Sequence, residues 1–227
     1  MLRLVRIFAW TMIWSGTIIL GYVAFQVYGT DLLNQQDQAE ARAELPAILD
    51  QRAQAVVSTT TSTTADPEQP EPEPEPGPEL VVEPPVSEGE AFAALRIPAI
   101  EVEQVIYEGV DRETLKLGPG HIPWTSLPGQ PGNAVLSGHR TTYGRPFFDL
   151  DQLQLGDVIE VETAIGISVY TVRDREIVTP TDVWVTEPRE GSWLTLTTCN
   201  PKFSARERLI IFAELTDGPN FEYVQAA

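Results

Sequence analysis

Cysteine is nearly absent: one thiol, Cys199, occurs in 227 residues, with two histidines, His121 and His139. No intrachain disulfide can form, and these three residues cannot assemble a four-cysteine or Cys/His zinc framework. Basic side chains are scarce too. Fifteen Lys and Arg stand against 33 Asp and Glu, for a net charge of -18. Affinity for nucleic acid comes from clustered cations that neutralise phosphates, so nucleic acid is excluded as a partner. No repeat of fixed period is visible and no Ca²⁺-loop spacing occurs. The clusters Glu101, Glu103, Glu108 and Asp149, Asp151 therefore read as solvated acidic faces, and no metal or other cofactor is expected.

What is present is unevenly distributed. Residues 58–90 carry nine acids, eight prolines and no base, which is half of the net charge in 33 residues. Upstream, Ile7–Gly29 runs 23 residues without a charge, and a helix of that length crosses a hydrocarbon core of ~30 Å. The rival, a cleaved signal peptide, needs a shorter apolar region and a small-x-small site, which YGTDLLNQQ does not offer. Arg3 and Arg6 precede the span and Asp31 follows it, so residues 1–30 read as a cytoplasmic stub and signal anchor, with all later residues outside the cell membrane. Residues 31–57 carry a loose apolar stripe broken at Pro46, a short juxtamembrane helix. Residues 58–90 cannot bury enough apolar surface to order themselves and read as a disordered linker. Fully extended polyproline II at ~3.1 Å per residue would let it hold the next domain up to about 100 Å from the lipid.

Residues 91–217 are expected to form a compact all-β domain, with residues 218–227 as a disordered tail. Seven candidate strands, 94–98, 102–109, 133–140, 157–164, 167–179, 192–199 and 207–215, are rich in β-branched residues and separated by Gly, Pro and Asp turns. This favours a barrel or sandwich, with short helices at 111–117 and 146–153.

Side-chain alternation then sorts the reactive groups. Leu194 and Leu196 put Cys199 on the opposite face of its strand. Leu209, Ile211, Ala213 and Leu215 leave Arg208 on the other face, and Ala134 and Leu136 do the same for His139. A thiol, an imidazole and a guanidinium thus leave three strands from their non-core faces. That grouping suits nucleophilic attack on a carbonyl, with the thiolate attacking, the imidazole managing the leaving-group proton and the guanidinium facing the oxyanion. Each residue alone also has a plain structural reading, because free Cys is among the most buried residue types.

The strings TLTTCNPKFSARERLII (Thr195–Ile211), PGQPGNAVLSGHRTTYGRPF (Pro128–Phe147) and LRIPAIEVEQVIYEGV (Leu95–Val110) resemble the sortases, most of all those of class E. The resemblance implies a closed eight-stranded β-barrel and a membrane-anchored cysteine transpeptidase on the outer face of a single-membrane bacterium. Its partners would be surface proteins bearing an LPxTG- or LAxTG-like sorting signal and an amine of a peptidoglycan precursor. Matched residue by residue, it implies Cys199 as nucleophile, His139 as general acid and Arg208 as the oxyanion-stabilising residue, with Arg206 the neighbouring alternative. Thr198 matches the Thr before the nucleophile and could line the substrate groove, although its leucine-side parity fits a structural role equally. Tyr143 matches a Tyr suggested to help choose the sorting signal, or packs over the barrel. His121 reads as structural. A cysteine peptidase using the same three residues, a pilin-polymerising sortase and a non-catalytic β-barrel binding module remain open.

Overall fold

The computed structural model describes residues 2–25, 30–59 and 77–226. Helix α1, Leu2–Ala24, contains a 20-residue window, Arg3–Tyr22, with mean hydropathy 1.5 and none of it buried. Its apolar side chains, among them Trp10, Ile13, Trp14 and Leu20, face outward. The helix is long and apolar enough to cross a membrane.

Helix α2, Thr30–Thr59, is longer than the sequence implies and continues through Pro46. Proline in a helix interior costs roughly 3 kcal/mol. Here packing offsets that cost: Leu45 and Leu49 on α2 are buried against Val105 and Tyr107 of the barrel. Polar contacts add to the fit. Gln38 donates to the carbonyls of Val105 and Leu117 and accepts the Val105 N–H at 2.8 Å, and Arg42 donates to the Glu103 carbonyl.

The strands are β1 (Ala91–Ile97), β2 (Val102–Glu108), β3 (Gly120–His121), β4 (Gly132–Ser137), β5 (Val158–Thr163), β6 (Gly166–Val178), β7 (Ser192–Asn200) and β8 (Glu207–Asp217). They close in the order β1-β2-β3-β4-β7-β8-β6-β5, the eight-stranded barrel expected. The strand that alternation could not reveal is β3. Two residues have no periodicity, and they become a strand only because Gly120 and His121 bridge β2 and β4. The helical expectation at 111–117 shrinks to α3, Thr114–Leu117, and that at 146–153 to a 3-10 turn at Leu150–Gln152.

Inside the barrel, Leu95, Ile106, Leu136, Ile159, Tyr170, Leu194, Leu196 and Ile211 are fully buried. A second, external cluster covers part of the outer face of β7 and β8. The β6–β7 connection lays Val185 over Ile210 and Phe212, held there by Asn133, whose amide donates to the Val185 and Glu187 carbonyls.

The expected linker and tail both differ from the sequence reading. Over residues 77–90 the chain lies against the barrel: Glu83 is 3 % exposed and pairs with Arg52 of α2 at 3.1 Å. Arg52 also donates to the Pro84 and Pro85 carbonyls. The expected disorder of 60–76 lies outside the described residues. At the other end, Phe221–Ala226 form helix α4, and Phe221 and Val224 pack on the core. Asn220, 1 % exposed, joins the two corrected segments by donating to the Val81 and Gly129 carbonyls and accepting the Val81 N–H. Composition missed both segments because their order depends on hydrogen bonds to a surface the sequence does not display.

Asn220→Ala should therefore cost about 1–3 kcal/mol, since it leaves buried backbone groups without partners. Thermal denaturation should show the loss, and limited proteolysis should show new cleavage within 77–90. Unchanged cleavage would mean that this segment is held elsewhere.

Candidate active site

The site is built around the last residues of β7. Strand β8 pairs with it antiparallel, and the register sets Cys199 opposite Arg208 and Thr197 opposite Ile210. Residues opposed in this way have Cα atoms ~4.5–5.5 Å apart. On the other flank β4 runs parallel to β7, with Ser137 beside Thr197. The Gly138 N–H then donates to the Thr197 carbonyl at 3.1 Å, and Thr198 Oγ1 donates to the Gly138 carbonyl at 2.7 Å. Strand β4 ends at Ser137, and His139 follows two residues later in the loop that leaves this flank of β7. Gly138 is required by close approach, because a Cβ there would lie 2.6 Å from the Phe147 ring.

The external cluster ends just short of this point. Thr195 is sealed beneath it, whereas Thr197, Cys199 and Arg208 are only half-buried. The outer face of the barrel is thus covered up to Ile210 and opens at the thiol. Arg208 directs Nη1 to the carbonyls of Ala205 and Glu207, at 3.1 and 3.0 Å. Among the described residues nothing accepts from its Nε or Nη2, which leaves these donors for a ligand. Arg206 instead extends into solvent, its side chain 77 % exposed, beside Glu207.

The remaining candidates separate. Thr198 is 2 % exposed with its hydroxyl committed to Gly138, so the groove-lining reading is corrected: its side chain points into the barrel and ties β7 to the turn that carries His139. Tyr143 stays in the site, its ring 5.1 Å from that of His139 and tilted by 41°. His121 is buried, with Nδ1 2.7 Å from Glu108 and Nε2 2.9 Å from the Ser126 carbonyl, and takes no part.

A residue the sequence reading missed is Arg140. It is 3 % exposed, and Nη1 donates to the Cys199 carbonyl at 3.2 Å and to Asn200 Oδ1 at 2.8 Å. Its Nη2 pairs with Asp151 at 2.9 Å. Burial pushes the Asp151 carboxyl up, but the charges of Arg140 and Lys202, a hydrogen bond from the Asp151 backbone and one from Arg140 outweigh it, and the net shift is downward. The signal was available: Arg140 shares the parity of Leu136 and Gly138, and a guanidinium on a core face requires partners.

Burial also lowers the pKa of His139 below its ordinary value of 6.5. A histidine held neutral in the fold contributes stability that is fully present above the unfolded pKa. That contribution is lost as pH falls through the folded value, because the unfolded chain takes up the proton first. Wild-type protein should therefore lose more stability than His139→Gln between neutral pH and about pH 5, measured by denaturant titration. Parallel curves would show that His139 is solvated.

The model of the Sortase domain family matches residues 95–216. Sortase SrtE1 of Streptomyces coelicolor is 34 % identical over 145 residues, 57 % of this chain and 41 % of that protein, so the chain spans about two fifths of its length. Sortase D of Bacillus subtilis is 31 % identical over 205 residues, 88 % of this chain and 93 % of its own. The solved structure of sortase E from Streptomyces avermitilis is 37 % identical, covers 58 % of this chain and 91 % of its own, and superposes with a TM-score of 0.54. The chain belongs to the sortase family, whose members are cysteine transpeptidases.

Proposed function

We propose that this protein is a membrane-anchored transpeptidase that cleaves an LAxTG- or LPxTG-like sorting signal between Thr and Gly and joins the severed protein to a cell-wall amine. The observation that carries this reading is the register setting Cys199 opposite Arg208 at the uncovered end of β7, with His139 on the adjoining flank.

The Cys199 thiolate attacks the Thr carbonyl carbon to form a C–S bond, and the carbonyl π pair moves onto the oxygen. Arg208, oriented by Ala205 and Glu207, donates from Nε and Nη2 to that oxyanion, a charge absent from the ground state. As the tetrahedral adduct collapses, the C–N bond breaks and protonated His139 gives its proton to the departing glycine amine, leaving a thioester on Cys199. An incoming amine attacks the thioester and returns a proton to His139, and the thiolate departs. Burial favours the neutral imidazole, so the protonated form that donates is the less favoured one. Arg140 holds the Cys199 carbonyl and keeps the nucleophile's backbone fixed during both attacks. Helix α1 would anchor the chain, with Arg3 and Arg6 on the cytoplasmic side.

The test is mass spectrometry of the full chain incubated with LAxTG and LPxTG peptides, with and without an added glycyl amine. An acyl adduct on Cys199 that the amine converts to an amide is expected. An acid product unchanged by the amine would make the protein a hydrolase, and no adduct would leave a binding module. Arg208→Lys should lower kcat/KM by roughly 10²–10³, because an ammonium cannot replace two donors of a planar fork. Arg206→Ala should stay near wild type. The reverse order would give the oxyanion role to Arg206.

A further inference from the structure

The loop that follows His139 is held in a conformation its own residues resist. Tyr143, Gly144 and Arg145 have φ of 51°, 73° and 51°, three consecutive residues in the left-handed region, where a non-glycine residue is strained. Inside the loop, the Phe147 N–H donates to the His139 carbonyl and the Arg145 N–H to the Thr142 carbonyl. The first bond closes the loop's base and the second spans its apex, where the Arg145 carbonyl also accepts the Phe148 N–H and the guanidinium lies over the Phe148 ring. The apex is held as well from the first turn of α2, over a hundred residues away in sequence. Asp31 accepts the Gly144 N–H on Oδ1 at 3.1 Å, and its Oδ2 pairs with Arg145 Nε at 3.0 Å. Asn34 lies so close to Gly144 that a Cβ at this position would overlap its side chain, and its own amide is committed to the Lys116 and Leu117 carbonyls. The turn held by Asp31 is the one that folds the Tyr143 ring onto His139.

We propose that Asp31 is a positioning residue for the active site: through Gly144 and Arg145 it holds Tyr143 against His139, so the helix that follows α1 forms part of the catalytic apparatus. The inference deepens the transpeptidase reading and rests on it for the role of His139. When the clamp is released, the left-handed turn relaxes, Tyr143 leaves the imidazole, and the ring samples orientations that do not face Cys199. A misplacement of about 1 Å at a proton-transferring group can cost up to 10²-fold in rate. The loss should therefore fall on kcat and leave KM nearly unchanged.

The chain has only two histidines, so full-length protein in detergent, labelled with ¹³C-histidine, gives two imidazole signals, and the one absent from His139→Gln is that of His139. Asp31→Ala should move this signal toward its position in Tyr143→Leu, where the aromatic ring current is gone, while His121 stays in place. Both variants should lower kcat by on the order of ten- to a hundredfold. The double variant should be no slower than Tyr143→Leu alone, because contacts acting through one element do not add. Asp31→Asn keeps an acceptor for the Gly144 N–H and should retain most of the rate and the signal position. Arg42→Ala, which removes a contact of the same helix with Glu103, should change neither. Additive losses, an unmoved His139 signal in Asp31→Ala, or equal effects from Arg42→Ala would overturn the proposal. The NMR comparison needs no turnover, so it stands even if the peptides show that the protein is not a transpeptidase.

Discussion

Strand β7 has an antiparallel neighbour on one side and a parallel neighbour on the other, and the site depends on this pairing. A parallel pair aligns strand ends that point the same way, so β4 and β7 both finish at one rim of the barrel, β7 near Cys199 and β4 two residues before His139. An antiparallel pair brings a strand's start to the same rim, which is how β8 delivers Arg208. A slip of one residue in either ladder would turn the thiol or the guanidinium toward the core. The pairings are secured from both faces of the sheet. Leu194, Leu196, Leu209 and Ile211 fill the interior, while Val185 covers Ile210 and Phe212 outside.

The rim carries a polar frame beneath its reactive side chains. Arg140, Asp151, Asp149 and Lys202 form a chain of ion pairs, with the Lys202 ammonium 4.1 Å from the centre of the Phe148 ring. A buried guanidinium is costly unless its donors are satisfied. Arg140 meets that requirement with carbonyl and carboxylate oxygens drawn from the His139 loop, the 3-10 turn and the end of β7. The network therefore fixes several segments of chain at once. It also explains an Asn after Cys199, since Asn200 accepts from Arg140 and donates to Glu207.

Much of this was legible in the chain because strand alternation reports directly on which face a side chain takes. The leucines of β7 and β8 gave the direction of Cys199 and Arg208, and the motif strings gave the family. Pairing order was not readable, since a two-residue strand such as Gly120–His121 carries no periodic signal. The contribution of α2 was also hidden. Its polar contacts with the barrel run through Asp31, Asn34, Gln38 and Arg42, residues that on a helix surface look like ordinary solvation. Residues 77–90, the described end of the acidic, proline-rich stretch, were hidden for the opposite reason: composition describes an isolated chain, whereas Glu83 and Val81 find partners in the folded chain.

The folding of α2 back along the barrel alters what the Glu-Pro segment can do. Arg52 grips residues 83–85, so the intervening chain is a closed excursion with both ends fastened to one body. Lengthening such an excursion changes only its closure entropy, by about 0.6 kcal/mol per doubling, and gives the catalytic domain no added height. Helix α2 and residues 77–90 are thus carried by the barrel as one body, and the Glu-Pro segment between them is no spacer.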